Sequence, residues 1–321
     1  MPLDHAESAP AAIRRSDYAP PAFLVERVEL DFAIGDRLVE VTARLSLRRN
    51  PAAAAGLPLV LDGQELDTRR VVLDGRVLGG GDYTIEGERL TIAAVPEEPF
   101  TLETLVVIDP AANTALEGLY VSGGMLCTQC EAEGFRRITW YPDRPDVMAR
   151  FRVAVTAERA RFPILLSNGN LVEETALEGG RHRAVWEDPF PKPCYLFALV
   201  AGDLALVAGD FTTRSGRQVA LKFWIEHGNE DQVGHALVSL QKAMAWDEQV
   251  FGLEYDLDIY NVVAVSHFNM GAMENKSLNI FNSKYVLAKR ETATDGDFLG
   301  IESVIAHEYF HNWTGNRVTC R

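Results

Sequence analysis

Two histidines and a glutamate lie close together in the stretch "VIAHEYFHNWTGN" of this 321-residue chain. His307 and His311 are four residues apart, and Glu308 directly follows the first. Because positions four apart lie on one face of a helix, both imidazoles can bind one zinc ion. Glu308 is then placed to act as general base on water activated by that ion. The alternative is an ordinary helix that carries two histidines by chance.

A second candidate segment is "HFNMGAMENKSLNIFN", residues 267–282, which lies between two strand-like runs. Its GAMEN portion is expected at a strand edge or connection, where backbone groups can pair with an extended peptide. Glu274 would place a carboxylate beside that peptide. The alternative is a surface turn with a solvated glutamate, and the residues alone do not decide between the two.

The elements before these segments read as strands. From Phe23 to about Asp203, short runs of alternating apolar and polar residues are separated by Gly, Pro, Asp and Asn, as in "VERVELDFAI", "LVEVTARLSLRR", "YTIEGERLTIAAV" and "RFRVAVTAE". This pattern is typical of antiparallel sheets in a sandwich or saddle. We predict an N-terminal arm over 1–22 and an all-β domain over 23–205.

The pattern changes after about residue 206. Two strand-like runs flank "EDQVGHALVSLQKAMAWDEQVFG", whose apolar spacing is close to helical. A last helix is predicted from about Phe298 to Trp313, with Thr294 or Asp295 as N-cap and Gly315 as a stop. We therefore predict a mixed α+β domain over 206–321 that carries the histidine motif on its last helix.

Composition excludes several classes of partner. With 47% hydrophobic and 24% charged residues the chain is typical of a globular protein, and its net charge of −15 disfavours nucleic acids and anionic membranes. No run approaches the roughly 18 apolar residues of a membrane span, and the start lacks a signal-peptide core. A cytoplasmic location is expected. Four cysteines, including the "CTQC" pair, predict reduced structural thiols rather than a disulfide framework.

Taken together, "GAMEN", "HEYFHNW" and "CTQCEAEGFRRITWYPDRPDVMARF" resemble the gluzincin aminopeptidases, over nearly the whole chain. In that family a saddle-shaped β domain precedes a thermolysin-like catalytic domain. The resemblance implies one Zn²⁺ ion held by His307 and His311, with Glu308 as general base. It also implies substrate binding, with Glu274 on the free α-ammonium, by Gln129, Glu131, Met270, Gly271, Ala272, Met273, Glu274 and Asn275.

The resemblance also implies a third zinc ligand that these residues do not supply. The family's third zinc ligand is a glutamate on the next helix, eighteen residues beyond the second histidine, and so falls beyond Arg321. The chain is therefore expected to be the N-terminal part of an aminopeptidase, inactive on its own.

The predicted function is removal of single residues from peptides with a free N-terminus, by a monomeric zinc enzyme. Two acidic groups that converge on an ammonium would restrict such a peptidase to chain ends. Two alternatives remain: an epoxide hydrolase on the same scaffold, and a non-catalytic β-rich binding module.

Overall fold

The computed structural model describes residues 14–319 of the chain. Most of the predicted arm, together with His5 and Cys320, lies outside the described residues. Twenty strands and two α-helices form within the described part. None of these helices has the length and apolar character needed to cross a membrane.

The strands of the first part are β1 Phe23–Ile34, β2 Val39–Arg49, β3 Leu59–Asp62, β4 Asp67–Leu73, β5 Arg76–Val77, β6 Thr84–Glu86, β7 Arg89–Ile92, β8 Phe100–Ile108, β9 Gly118–Ser122, β10 Met125–Gln129, β11 Met148–Glu158, β12 Ile164–Ser167, β13 Asn170–Ala176, β14 Arg181–Pro193 and β15 Leu199–Gly202. They form sheets of eight, four and three strands, in the orders β13-β14-β11-β1-β2-β8-β4-β5, β12-β15-β10-β9 and β3-β7-β6.

The predicted alternation is visible in the large sheet. Along β8, "FTLETLVVI", every second side chain is buried, so one face packs on the core. One feature differs from the predicted antiparallel pattern: β1 and β11 pair in parallel, with Val28 opposite Phe151. The predicted single run "YTIEGERLTIAAV" is instead the β6–β7 hairpin, which turns at Gly87 with a φ of +57°.

Aromatic rings fill the centre of this β region. Phe197 stacks on Phe32 and Phe151 at ring-centroid distances of 6.0 and 6.2 Å, and meets Phe135 edge-on at 5.3 Å. All four side chains are at most 1% exposed. Such pairs contribute about 0.5–1.5 kcal/mol each beyond the area that they bury.

The second part contains β16 Ala205–Thr212, β17 Gln218–Ile225, α1 Gly234–Phe251, β18 Ile259–Val265, β19 Ala272–Met273, β20 Leu278–Asn282 and α2 Asp295–Phe310. Its five strands have the order β16-β17-β18-β20-β19, which makes β19 an edge strand. The fold is thus a β region followed by a mixed α/β region, as predicted. The strand that ends at Gly202 and the strand that begins at Ala205 belong to different sheets. The domain boundary at 205/206 itself stays a prediction.

Both helices have identifiable ends. Helix α1 stops at Gly252, whose φ of +71° suits glycine. Helix α2 starts at the predicted N-cap Thr294, whose side chain accepts from the Asp297 backbone while Asp297 accepts from the Thr294 backbone. The helix therefore begins three residues before the predicted Phe298 and ends three residues before the predicted Trp313.

Candidate metal and peptide site

The two histidines of the motif face one another at the end of α2. His307 Nε2 and His311 Nε2 are 3.0 Å apart, so both can lie at the usual 2.0–2.1 Å from a single zinc ion. His311 Nδ1 lies 2.8 Å from the Thr314 carbonyl oxygen, which accepts its proton and leaves Nε2 free as a ligand. The arrangement of these two residues fits a zinc ion.

Gly315 allows the chain to turn tightly against His311. Its φ is +140°, and a Cβ added there would lie 2.8 Å from His311 Nδ1. A side chain at this position would push the imidazole away from His307. The glycine predicted only as a helix stop therefore also keeps space for a candidate ligand.

Glu308 lies on the inner side of the same helix. Its side chain is 6% exposed, and burial together with the carboxylates of Glu274 and Glu131 raises its pKa to about 8. Three acidic groups are thus close enough to act on one another's pKa values. A bound metal ion or a substrate ammonium would lower the pKa of Glu308 and favour its ionised form.

Glu274 follows the edge strand β19 and reaches the same point. Ligand atoms of Glu274, Glu308 and His311 all lie within 4.8 Å of one another. The backbone carbonyl of Glu274 accepts a hydrogen bond of 2.9 Å from Asn316 Nδ2, which ties this residue to the segment after α2. The structure therefore brings the GAMEN segment and the histidine motif together, which the sequence spacing does not require.

The β region contributes a second wall of the site. Gln129 Nε2 donates to the Glu131 carbonyl oxygen at 3.3 Å and to Met270 Sδ at 3.2 Å. Partial burial and Glu274 raise the pKa of Glu131, whose carboxylate thus belongs to the same acidic group. Met270 is 43% exposed and is available to line a pocket.

The other GAMEN residues contribute backbone and support. Ala272 and Met273 form β19, and the Met273 side chain is fully buried, so it faces the core. Gly271 accepts from the Asn282 backbone through its carbonyl group, and Asn275 donates through Nδ2 to the Phe197 carbonyl oxygen at 3.3 Å. Asn275 thereby joins the segment to the β region.

The three described cysteines form no disulfide. Cys127, Cys130 and Cys194 are free and at most 1% exposed, and burial raises their pKa values. Such thiols are inert. Three other described histidines lie outside the site: His182 bonds the Phe162 carbonyl, His235 bonds the Phe298 carbonyl and His227 bonds Asp203.

Sequence reasoning did not find Tyr120 and Ser122, two buried residues of β9. Tyr120 donates to the His267 carbonyl at 3.3 Å, and Ser122 accepts from the His267 backbone at 3.0 Å. Both hold the loop that leads to Met270. Only long-range contacts reveal this role, since neither residue stands in a recognisable motif.

Comparison with known proteins agrees with this geometry. Residues 83–196 match the Peptidase M1 N-terminal domain, and residues 235–321 match the Peptidase family M1 domain. The chain is 55% identical to aminopeptidase N of Caulobacter vibrioides over 312 residues, covering 97% of this chain and 36% of that protein. Aminopeptidase N of Escherichia coli is also 55% identical over 312 residues, with 97% and 35% covered.

A solved structure shares the fold. The crystal structure of Legionella pneumophila aminopeptidase A in complex with aspartic acid superposes with a TM-score of 0.92 at 37% identity, covering 95% of this chain and 36% of that one. The chain thus spans about a third of the length of the relatives it matches. The chain matches two domains of one family, and its 55% identity to a relative extends over 97% of its residues. This protein therefore belongs to the peptidase M1 family.

Proposed function

We propose that this chain supplies the metal-binding, proton-transferring and amine-binding groups of a zinc aminopeptidase. The observation that carries the proposal is the convergence of Glu274, Glu308 and His311 within 4.8 Å, beside the 3.0 Å pair of histidine nitrogens. The names of the relatives support the same activity. A non-catalytic binding module and an epoxide hydrolase gain no support from these relatives.

In this proposal each group has one role. His307 and His311 would hold a zinc ion, which would supply Lewis-acid chemistry at the scissile carbonyl and the attacking water. Glu308 accepts a proton from the attacking water and passes it to the leaving amine, so that no covalent intermediate with the protein is needed. Its buried position excludes bulk water from this transfer.

Substrate selection follows from the acidic group. Glu274 and Glu131 attract the α-ammonium of a peptide, and Gln129 and Met270 border the first residue. The edge strand β19 offers backbone groups to the extended chain. Only a peptide with a free N-terminus brings a cation to this point, so cleavage occurs one residue from the end.

A complete catalytic zinc site has three protein ligands. The two histidines provide two, and the proposal assigns Glu308 and Glu274 to other roles. We therefore expect the third ligand to come from outside the described residues, as the resemblance implies. The same reasoning makes weak zinc binding and no turnover the expected properties of the 321 residues alone.

Release of a chromogenic amine from an aminoacyl amide tests the proposal. The assay compares the 321-residue chain with the protein as isolated from its source, each with measured zinc content, and compares free with N-acetylated substrates. Zinc-dependent release from free substrates alone supports the proposal. Equal release from acetylated substrates would contradict the assigned role of Glu274.

A further inference from the structure

Lys276 lies at the junction of three parts of the molecule. It follows the GAMEN segment directly, and its side chain is 2% exposed. Its ammonium donates to Asp256 Oδ1 at 2.6 Å and to Asn312 Oδ1 at 2.7 Å. Its carbonyl accepts from Asn168 Nδ2 of the β region at 2.8 Å. Burial of a charge at such a point is costly unless every partner is in place.

The partners of Lys276 belong to the segment that carries the candidate ligands. Asn312 is the residue after His311, and its own Nδ2 lies 3.4 Å from Asp256 Oδ1. Arg317 forms an ion pair with the other carboxylate oxygen of Asp256. Asp256 is thus bonded both by the segment between β19 and β20, which contains Glu274 and Lys276, and by the residues that follow α2.

A second, independent link runs in parallel. Asn316 Nδ2 donates to the Glu274 carbonyl, and the Asn316 backbone donates to the His311 carbonyl at 2.9 Å. Both links join residues 274–276 to residues 311–317. Two sets of hydrogen bonds therefore hold the segment that presents Glu274 against the segment that carries His311.

We propose that Lys276, with Asp256 and Asn312, is a positioning group that sets the distance between the amine-binding carboxylate and the metal-binding histidines. This inference rests on the proposed aminopeptidase function. The distance determines which peptide bond faces Glu308 once the ammonium is bound. In this role Lys276 contacts neither substrate nor metal. It acts by holding in place the segment between β19 and β20, which contains Glu274.

Lys276→Met is the informative substitution, because Asp256 keeps its ion pair with Arg317 after the ammonium is lost. Lys192→Met is the matched control. Lys192 is also 2% exposed, pairs with Asp188 at 3.1 Å and lies 4.1 Å from the Phe151 ring, but it bonds no residue of the site. Asp188 also acts electrostatically on Lys276, so the control reports what loss of a neighbouring buried lysine costs while the bonds of Lys276 to Asp256 and Asn312 are kept.

Two measurements test the proposal. Calorimetry compares the binding of leucine amide with that of N-acetylleucine amide to the metal-free chain, and steady-state kinetics on the protein as isolated separates KM from kcat. We expect Lys276→Met to lower kcat/KM for free substrates by roughly tenfold to a hundredfold, since small displacements of bound substrate have effects of this size. Asn312→Ala should act similarly, and the double substitution should cost less than the product of the two.

The outcomes distinguish failure of the positioning role from failure of the proposed aminopeptidase function. Unchanged KM, kcat and amide binding in Lys276→Met would overturn the positioning role, as would equal losses in Lys192→Met. If the unsubstituted protein shows no preference for the free amine in either measurement, the proposed function fails and this inference fails with it. Partial recovery of free-amine preference in Lys276→Gln, which retains a hydrogen-bond donor, would support positioning by this contact.

Discussion

The β region buries its central aromatic rings, whereas the α/β region has an exposed aromatic cluster beside its buried rings. Phe32, Phe135, Phe151 and Phe197 lie in the interior of the β region, at most 1% exposed. In the α/β region, Trp246, Phe251 and Phe310 form a cluster with centroid distances of 5.6–6.4 Å, in which the first two are 51% and 52% exposed. A contiguous apolar surface of this kind is uncommon on a protein unless it contacts something.

Buried carboxyl oxygens without a hydrogen-bond partner show a related contrast, since among the described residues they occur only in the α/β region. Near the exposed rings, Asp247 Oδ2, Glu248 Oε1 and Tyr309 Oη are buried and have no hydrogen-bond partner among the described residues. Two of the three acidic residues of the candidate site, Glu274 and Glu308, lie in the same region. The β region is therefore expected to determine stability, and the α/β region to carry electrostatic cost where chemistry takes place. Substitutions in the β region should therefore change mainly the free energy of unfolding, and substitutions at the candidate site should change mainly turnover.

The largest expected effect is on turnover, from Glu308→Gln. The amide keeps the shape of the side chain but cannot accept a proton, so kcat should fall about 10²–10⁴-fold while zinc content stays the same. Rate assays on the isolated protein with parallel metal analysis provide the measurement. Glu302→Gln, on the same helix and paired with Lys242, is the control. Retention of more than a few per cent of activity would exclude the general-base role.

Glu274→Ala should reduce kcat/KM roughly a hundredfold to a few thousandfold, because removing one partner of a desolvated ion pair costs about 3–5 kcal/mol. Glu131→Ala should act similarly or more mildly. Zinc content should not change, since neither residue is assigned as a ligand. The exposed Glu133, paired with Arg136, serves as control through Glu133→Ala. A loss of zinc in Glu274→Ala would reassign this residue as a metal ligand.

Phe32→Ala should lower the free energy of unfolding by about 3–5 kcal/mol, through lost burial and the cavity left behind. Phe251→Ala, on the exposed cluster, should change it by less than about 1 kcal/mol. Urea unfolding midpoints measure both. Similar losses for the two phenylalanines would remove the contrast between the regions.

The smallest expected effect concerns Asp247, whose pKa is raised to about 6 by burial and by Glu248. In the unfolded chain its pKa is about 3.9, so between these values the folded state holds a proton that the unfolded state has lost. The free energy of unfolding should therefore fall as pH rises from about 4 to about 6. Glu308, whose pKa is also raised, adds to this slope, so Asp247→Asn should reduce the slope without abolishing it and should stabilise the protein at pH 7 by about 1–2 kcal/mol.

Unfolding midpoints at pH 4 and pH 7 test this expectation. Asp258→Asn is the control, because the Asp258 side chain is 71% exposed. If Asp247→Asn is no more stable than the unsubstituted protein at pH 7, the folded protein stabilises the ionised carboxylate of Asp247. The expectation of a raised pKa would then be wrong.

Strand prediction succeeded where one face of a strand is exposed. The strands β1, β2 and β8 alternate in burial along most of their length, and β11 alternates in its first half. Their sequences alternate accordingly. The strands β10 and β15 are buried on both faces, so "MLCTQ" and "LVAG" show no period of two and were not predicted. The edge strand β13, "NLVEETA", is almost entirely exposed and reads as a polar loop.

The sequence by itself determined the local chemistry. The spacing of His307, Glu308 and His311 specifies a common helical face, because the helix repeat acts within a single turn. The capping box at Thr294 and Asp297 likewise depends on neighbours three residues apart. These features need no knowledge of the rest of the chain.

Only the tertiary structure decided which distant groups meet. Glu131, Glu274 and Glu308 are separated by more than thirty residues from one another, yet their charges raise the pKa of Glu308. The parallel pairing of β1 with β11 and the bonds from Lys276 to Asp256 and Asn312 are equally long-range. Such contacts depend on how sheets pack and which loops close, and their energies arise only when burial removes water from between the groups.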